Sequence, residues 1–500
     1  MIMKKYIIVL SILGLVSSCN NFLDEIPKGE TTTESYYKTP EQAVAATNAI
    51  YDYLIIGYSP NGLWDENYGG VFYNYYWIFQ DLFSDNANSN MSGSDYTSID
   101  NLQIDQYNTP LKLLWRDFYQ TIKCCNIVLD KVSATEMDIT LKNNLLGEAR
   151  FWRAMMYFDL VRMFGDVPFR THDIEGADEE RIGRTSSDII YQQIIEDLKF
   201  AEENLKYSDR QGGGRPYALS ATALLARVYN TYAYHSGDKS YYQKAIDCAK
   251  KVIPAFPLMA DFGDLFKIEN RFNSEIILGI NFNTSLSEGW KGGQFLVRLL
   301  PNTDTSKGGP NNAQGWENAT EDLYESFSSS DKRRDITLKR SFTYNDGTQE
   351  DLKKPYIFKY WDRTAEPNGN NTDAIFPAIR TSEMYLIIAE ASNELNKGAN
   401  AEAVSALEAV RTRAGLTSDG ISNDYASFKT AVLNEYRHEF VMEGHRWFDL
   451  TRMCSPDEFV QRIKAAKPNS NPQTYEVLFP IPQREIALSG GVLTQNEGYK

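Results

Sequence analysis

Cysteine and histidine are scarce in this sequence, with five cysteines and four histidines among 500 residues. So few cysteines cannot form the dense disulfide framework on which small secreted domains depend. The usual motifs for a zinc site, a phosphate-binding loop or a nucleophilic serine are also missing, because no CxxC, HExxH, Walker, GxSxG or GxGxxG pattern occurs. We therefore predict no catalytic residue, no metal site and no cofactor.

Basic residues are fewer than acidic ones, with 51 Lys and Arg against 67 Asp and Glu and a net charge of −16. A chain of this charge has no positive field to attract phosphates, which argues against nucleic acid as a partner. Long hydrophobic runs are missing as well. Beyond the N-terminal segment no stretch reaches the roughly 20 apolar residues that a membrane-spanning helix needs, which excludes a polytopic membrane protein.

The N-terminal segment has the pattern of a lipoprotein signal peptide. Lys4 and Lys5 precede the apolar run Tyr6–Val16, which is too short to span a bilayer. The sequence VSSC, which ends at Cys19, is similar to a bacterial lipobox. We predict that residues 1–18 are removed and that Cys19 is lipidated and anchors the protein to a membrane.

Helical periodicity, in contrast, is abundant. Apolar residues recur at three- and four-residue spacing in many segments, and short polar turns join several of these segments in pairs. The predicted helices are Glu41–Leu54, Leu111–Val132, Leu141–Phe164, Ser186–Leu205, Arg215–Tyr234, Tyr241–Ile253, Ser382–Leu395, Ala401–Arg413 and Leu433–Arg452. The pairs are similar to tetratricopeptide units but irregularly spaced. We predict a mainly α fold of about four helical hairpins, with a helical core over about 40–56, 110–260 and 378–465.

Two segments, 57–109 and 262–375, differ from the rest because they are rich in Gly, Asn, Ser, Asp and Thr. The second contains short strand-like runs at Glu275–Ile280 and Tyr356–Tyr360. Loops this long inside a compact domain are usually functional or disordered, and their aromatic residues argue against disorder. We predict that both segments form a loop-rich, partly β, ligand-binding insertion within a single domain over residues 19–500.

Several blocks of sequence resemble the SusD/RagB family, and they occur in the family's order along the chain. They are CNNFLDEIP at 19–27, WRDFYQTIKCCNIVL at 115–129, EARFWRAMMYFDLVRMFGDVPF at 148–169, GRPYALSATALLARVY at 214–229, RTSEMYLIIAEASNEL at 380–395, LEAVRTRAGL at 407–416, EFVMEGHRWFDLTR at 439–452 and LFPIPQREI at 478–486. The chain departs from the family pattern near its C-terminus, where LSGG at 488–491 replaces the usual Asn-Pro and Glu497 replaces the usual Pro.

The resemblance implies a non-enzymatic lipoprotein on the surface of Bacteroidetes-type bacteria that binds oligo- or polysaccharide. It also implies a partner, a SusC-like TonB-dependent transporter of the outer membrane, over which such proteins act as a lid. The family fold has four tetratricopeptide-like pairs and a loop-rich ligand face. Because ligand residues vary within the family, the site has to be predicted from this sequence.

Aromatic residues concentrate between Tyr58 and Trp77, where eight occur in twenty residues against 13% in the whole chain. A sugar ring has a C–H face that stacks on an aromatic ring, and ligand pockets combine apolar surface with a few polar groups. If FYNYYWIF forms a strand, alternate rings share one face. The alternative is packing within the loop. The predicted ligand-binding rings are Trp64, Tyr68, Tyr73, Tyr75 and Trp77.

The other tryptophans divide according to their surroundings. Those in helical blocks or after a strand-like run are predicted to pack in the interior: Trp115, Trp152, Trp361 and Trp447. Trp290 and Trp316 lie in Gly- and Asn-rich loops, where binding residues concentrate, and are predicted ligand contacts. Asp85 and Asn86 are predicted partners for sugar hydroxyls, although the same residue types also form turns.

Two other functions are considered. A glycoside hydrolase requires two carboxylates about 5–9.5 Å apart, and a helical-repeat scaffold that binds peptides would place its ligand on the helices. The C-terminal cluster of Glu443, His445, Arg446, Asp449 and Arg452 suggests acid/base chemistry. Helical spacing pairs these residues with one another, however, and favours a structural ion network.

Overall fold

The fold is mainly α, as predicted: helix accounts for 55% of the described residues and strand for 9%. The computed structural model describes residues 37–56, 70–73, 75–174, 176, 181–206, 214–283, 292–311, 313–363 and 372–499. Trp64, Tyr68, Trp290 and Cys19 lie outside the described residues. None of the described helices is long and apolar enough to cross a membrane.

Six of the eight described helices of the first half follow predicted helical segments, whereas Tyr75–Leu82 and Ser94–Asp100 lie in the segment 57–109 that was predicted to be loop-rich. The eight helices are α1 (Pro40–Ile55), α2 (Tyr75–Leu82), α3 (Ser94–Asp100), α4 (Thr109–Ser133), α5 (Ile139–Phe164), α6 (Ser187–Asn204), α7 (Ala218–Ser236) and α8 (Ser240–Val252). Side chains define their starts, because Asn108 and Asp138 accept hydrogen bonds from backbone N–H groups in the first turns of α4 and α5. Gly165, with φ 70°, ends α5.

Short helices dominate the insertion, and longer ones return towards the C-terminus. They are α9 (Phe295–Leu299), α10 (Glu321–Ser326), α11 (Arg334–Thr337), α12 (Thr381–Asn396), α13 (Ala401–Arg413), α14 (Tyr425–Glu439), α15 (Arg446–Met453), α16 (Pro456–Ala466) and α17 (Gln483–Leu488).

The long helices form one continuous array, in which each packs on the next. The order is α1, α4, α5, α6, α7, α8, α12 and α13, so that α12 continues the first-half array directly after α8. The alanines of α7, among them Ala221, Ala223 and Ala226, are fully buried and allow this close approach. A single buried cluster extends from Ala43 to Leu493. It contains Trp152 and Trp447 with no exposed surface and Trp115 almost buried, which confirms the predicted packing roles.

In the described part of the chain, six strands lie within or beside the insertion and pair in three antiparallel ribbons. They are β1 (Ala87–Ser89), β2 (Ile276–Ile280), β3 (Glu317–Ala319), β4 (Leu338–Thr343), β5 (Gln349–Ile357) and β6 (Phe376–Arg380). β1 pairs with β3, β2 with β6 and β4 with β5. The β1–β3 pair joins the two predicted loop-rich segments, with Asn88 opposite Asn318. These two distant segments therefore form one surface.

The predicted single helix Leu433–Arg452 is wrong, because the chain breaks it into α14 and α15. Met442 and Gly444 between them have φ values of 56° and 75°. A Cβ at Gly444 would lie 2.8 Å from the ring of Tyr76, so α2 packs where only glycine fits. The Met442 N–H also donates to Asp81 at 3.1 Å. Tertiary packing here overrides helical periodicity.

A buried ion network stands at the centre of the fold, and Arg380 is its hub. Its guanidinium contacts Glu275 at 2.9 Å, Glu443 at 2.7 Å and Glu439, and it lies 4.2 Å from the Phe440 ring centroid. The predicted structural network is therefore present, but with different partners. Glu443 pairs with Arg380 rather than with a helical neighbour because the helix is broken there.

Candidate functional site: an aromatic platform around Arg298

Three partly buried rings surround Arg298 where the two loop-rich segments meet. The guanidinium lies 5.1 Å from the ring centroid of Tyr96 on α3 and 5.1 Å from that of Trp316, which immediately precedes β3. Tyr75, at the start of α2, interacts with both Tyr96 and Arg298. We call Tyr75, Tyr96 and Trp316 together with Arg298 the aromatic platform.

Arg298 is held rigidly and supports these rings. It is only 3% exposed, and its guanidinium donates to Glu317 at 2.8 Å and to the Tyr96 hydroxyl at 2.7 Å. Burial acts to lower the pKa of Arg298, but Tyr96 and Glu317 raise it overall. Arg298 thus remains charged, and its two hydrogen bonds hold Tyr96 and β3 in a fixed arrangement.

Polar groups line one edge of the platform. The Asn90 side chain donates to the Gly315 carbonyl at 2.8 Å and accepts from Lys354 at 2.9 Å, while its backbone N–H donates to the Trp316 carbonyl at 2.7 Å. Gly315 has φ 60°, and a Cβ there would lie 2.8 Å from the Tyr356 ring. Only glycine fits this turn, which holds the amide, ammonium and phenol groups of these side chains beside the backbone of Gly315 and Trp316.

Of the predicted rings, the structure brings Tyr75 and Trp316 together but buries Tyr73 and Trp77. Trp77 has no exposed surface and packs 5.1 Å from the Phe295 ring centroid, and Tyr73 accepts a hydrogen bond from Gln294. The prediction that these two rings face a ligand is wrong. Tyr75–Leu82 is a helix rather than a strand, so alternate residues do not share a face.

Asp85 and Asn86 are also buried, and the prediction that they bind sugar hydroxyls is wrong. Arg446 donates to both carboxylate oxygens of Asp85 at 2.7 Å, and Asn86 donates to Asp81 at 2.8 Å. Burial alone would raise the pKa of Asp85, but Arg437 and Arg446 lower it well below its usual range. These residues join the turn after α2 to the C-terminal helices.

Tyr96, Arg298 and Asn90 were not predicted. Tyr96 could have been noticed as a lone aromatic residue in the polar stretch SGSDYTSID. Arg298 lies in the apolar stretch FLVRLL and carries no comparable signal. Its importance depends on the contact with Tyr96, which is distant in sequence.

Asp117 on α4 is a buried carboxylate near the platform, and it contributes to the raised pKa of Tyr75. Burial raises the pKa of Asp117 to about 7, although Arg116, at 2.6 Å, opposes the shift. The folded state therefore holds this proton more tightly than the unfolded chain, whose Asp pKa is about 3.9. The contribution of Asp117 to the free energy of unfolding is therefore fully present below about pH 4, and it is lost as the pH rises towards 7.

We therefore expect Asp117→Asn, which cannot titrate, to gain stability relative to the parent protein between about pH 4 and pH 7. Urea unfolding at several pH values measures this difference. If the difference in unfolding free energy between the variant and the parent protein stays the same from about pH 4 to pH 7, the assignment of a raised pKa to Asp117 is contradicted.

An array of helical hairpins with an aromatic platform on its insertions defines a class of helical-repeat protein whose candidate ligand site lies on its loops. Within this class, the chain belongs to the SusD family, whose model matches residues 226–499. A second family model, described as starch-binding associating with outer membrane, matches residues 21–230.

Individual relatives are similar along most of the chain. SusD-like protein P25 of Formosa agariphila is 25% identical, over 97% of both chains. The starch-binding protein SusD of Bacteroides thetaiotaomicron is 25% identical over 75% of this chain and 76% of its own. A solved laminarin-binding SusD-like protein superimposes with a TM-score of 0.75 at 26% identity, over 93% of this chain and all of the other.

Proposed function

We propose that the protein binds an oligo- or polysaccharide on the aromatic platform and does not hydrolyse it. The observation that carries this proposal is the position of Tyr96 and Trp316, each 5.1 Å from the same fixed guanidinium. Two relatives of the chain are named for binding the glucose polymers starch and laminarin. Both names favour a glycan as the ligand.

The platform has the groups that a sugar requires. The ring of Trp316 offers an apolar face for the C–H side of a sugar, and Asn90, Lys354 and Tyr356 offer donors and acceptors for its hydroxyls. Because Arg298 is already hydrogen-bonded and buried, little ordering of the site is needed on binding, which favours affinity.

The geometry favours binding over hydrolysis. Glu317, the carboxylate that pairs with Arg298 at 2.8 Å, is only 1% exposed. A buried, paired carboxylate cannot reach a glycosidic oxygen as a general acid. The peptide-binding alternative would use the array of helices, whereas the aromatic platform lies on the insertion.

Polysaccharide binding tests the proposal directly. A carbohydrate array that includes starch and laminarin, probed with residues 20–500, should give binding to a defined class of glycan, and the glycan that binds should remain intact on prolonged incubation. Absence of binding to every glycan, or release of shorter sugars, would contradict the proposal.

We also propose that Cys19 carries a lipid anchor and that the protein delivers its glycan to a TonB-dependent transporter in the outer membrane. Cys19→Ser should then give a folded protein that no longer sediments with outer membranes, because the acyl chains supply the attachment. Membrane fractionation should be done in a strain that lacks the transporter, because the transporter could otherwise retain the variant at the membrane. Full retention of the variant in that strain would contradict the anchor.

The transporter partnership has a separate test. Solubilisation in mild detergent followed by affinity purification should recover a large outer-membrane protein together with the lipidated protein. Recovery of the monomer alone would contradict delivery through a stable complex, while leaving glycan binding untouched.

A further inference from the structure

A second concave site lies on α4 and shares no residue with the aromatic platform. It is a cleft of about 430 Å³ between α4, the loop that follows α5, and α17, within the range of about 300–1,000 Å³ that small-molecule pockets occupy. Its apolar surface comes from all three elements and from Leu493, which follows α17; the other apolar residues include Trp115, Tyr119, Ile122, Ile174 and Leu488. We call it the α4 cleft.

The wall formed by residues 168–174, which follow α5, is fixed to α4. The Tyr119 hydroxyl donates to the Pro168 carbonyl at 2.7 Å, and the Asn126 side chain donates to the carbonyls of Arg170 and His172, each at 3.2 Å. Arg153 on α5 donates to the oxygen of the same Asn126 side chain at 2.9 Å. The cleft is therefore formed before any ligand arrives.

The opposite wall is also held in place. The backbone N–H of Gln483, at the start of α17, donates to the Gln106 carbonyl at 2.9 Å. The Gln495 side chain donates to both the Gln106 side chain, at 3.1 Å, and the Ile481 carbonyl, at 2.9 Å. Hydrogen bonds on both sides thus maintain the space between α4 and α17.

The charge of the α4 cleft is opposite to that of the whole protein. Its lining carries four cationic side chains and two anionic ones, a positive excess in a protein of net charge −16; they are Arg116, Lys123, Arg170, Arg484, Asp173 and Glu485. Arg116 already pairs with Asp117, and the exposed Arg484 pairs with its neighbour Glu485, at 3.2 Å. Lys123 is exposed and forms no ion pair with another described residue.

We propose that the α4 cleft binds a small organic anion, with the apolar body of the ligand along Tyr119, Ile122 and Leu493 and its acidic group facing Lys123 and Arg484. An apolar cavity with a few convergent charges is the general form of a site for such a ligand. A neutral sugar would offer no negative charge to Lys123 and Arg484. The site is therefore independent of the proposed glycan function.

The probe for this site is 1-anilinonaphthalene-8-sulfonate, an aromatic anion whose fluorescence rises in apolar surroundings. N-phenyl-1-naphthylamine, the same ring system without the sulfonate, is the neutral counterpart. The folded protein should bind the anion saturably at one site. The double variant Lys123→Gln/Arg484→Gln should weaken binding of the anion about three- to tenfold, as expected for partly exposed charges, and change binding of the neutral probe less than twofold.

Two further variants complete the test. Gln120→Trp places a large side chain on the exposed, cleft-lining face of α4 and should abolish binding of both probes without affecting glycan affinity. Lys131→Gln, on the same helix but outside the cleft, should change neither probe. Equal binding of both probes to the double variant and the parent, or retained binding in Gln120→Trp, would overturn the proposal.

Discussion

Trp316→Ala is expected to weaken glycan binding at least thirtyfold while the protein remains folded. Trp316 is partly buried beside Arg298, and aromatic residues at the centre of binding sites typically contribute about 2 kcal/mol or more. The hydrogen bond that joins this segment to Asn90 uses the backbone carbonyl, so that the substitution leaves it in place. Trp316→Phe should recover part of the affinity because it restores an aromatic face.

Two further variants distinguish a ring that binds ligand from a ring that stabilises the core. Trp77→Ala removes a ring with no exposed surface and should cost about 3–5 kcal/mol of unfolding free energy through the cavity that it leaves. Phe272→Ala removes a ring that is 48% exposed and makes no contact with the platform among the described residues. This variant should change neither the glycan affinity nor the unfolding free energy. Isothermal titration with the glycan and thermal unfolding measure both properties; unchanged glycan affinity in Trp316→Ala would place the site elsewhere.

Arg380→Leu is expected to destabilise the protein by more than about 3–5 kcal/mol, and it gives the largest stability loss that we predict. The substitution removes a fully buried guanidinium from among the carboxylates of Glu275, Glu439 and Glu443. Breaking one buried pair in this way costs about 3–5 kcal/mol because it leaves a charge without compensation. Here three carboxylates lose a partner.

The control for this variant is Arg340→Leu on β4. Arg340 pairs with Glu321 and Glu325, but it is 39% exposed, and exposed pairs contribute about 0–1 kcal/mol. Arg380→Lys should fall between the two because it keeps the charge and loses the forked hydrogen bonds. Urea unfolding measures all three variants. A loss below about 1 kcal/mol for Arg380→Leu would contradict the role of this residue as hub.

Helices and core tryptophans were predictable because their signals are local. The predicted Leu141–Phe164 became Ile139–Phe164, since periodicity and the residues that begin and end a helix lie within a few positions of one another. Trp152 and Trp447 were correctly assigned to the interior for the same reason. The helix predicted across Gly444 failed, because contact with Tyr76, which is remote in the chain, decides the backbone at that point.

The candidate site was predictable only in part. Loop composition indicated Trp316, and aromatic density indicated Tyr75, but density alone could not separate Tyr75 from the buried Trp77. Assigning a strand period to a helical segment caused that error. Arg298 remained hidden because the sequence FLVRLL predicts a buried apolar segment and says nothing about which rings approach it.

The sequence by itself determined the helical segments, the interior tryptophans and the location of the loop-rich insertions, because these depend on periodicity and composition over short windows. Tertiary structure alone decided which side chains meet. Tyr96 and Trp316 reach the same guanidinium although 219 intervening positions separate them, because the β1–β3 pair joins their segments. Such a contact depends on long-range pairing and burial, and no local pattern encodes it.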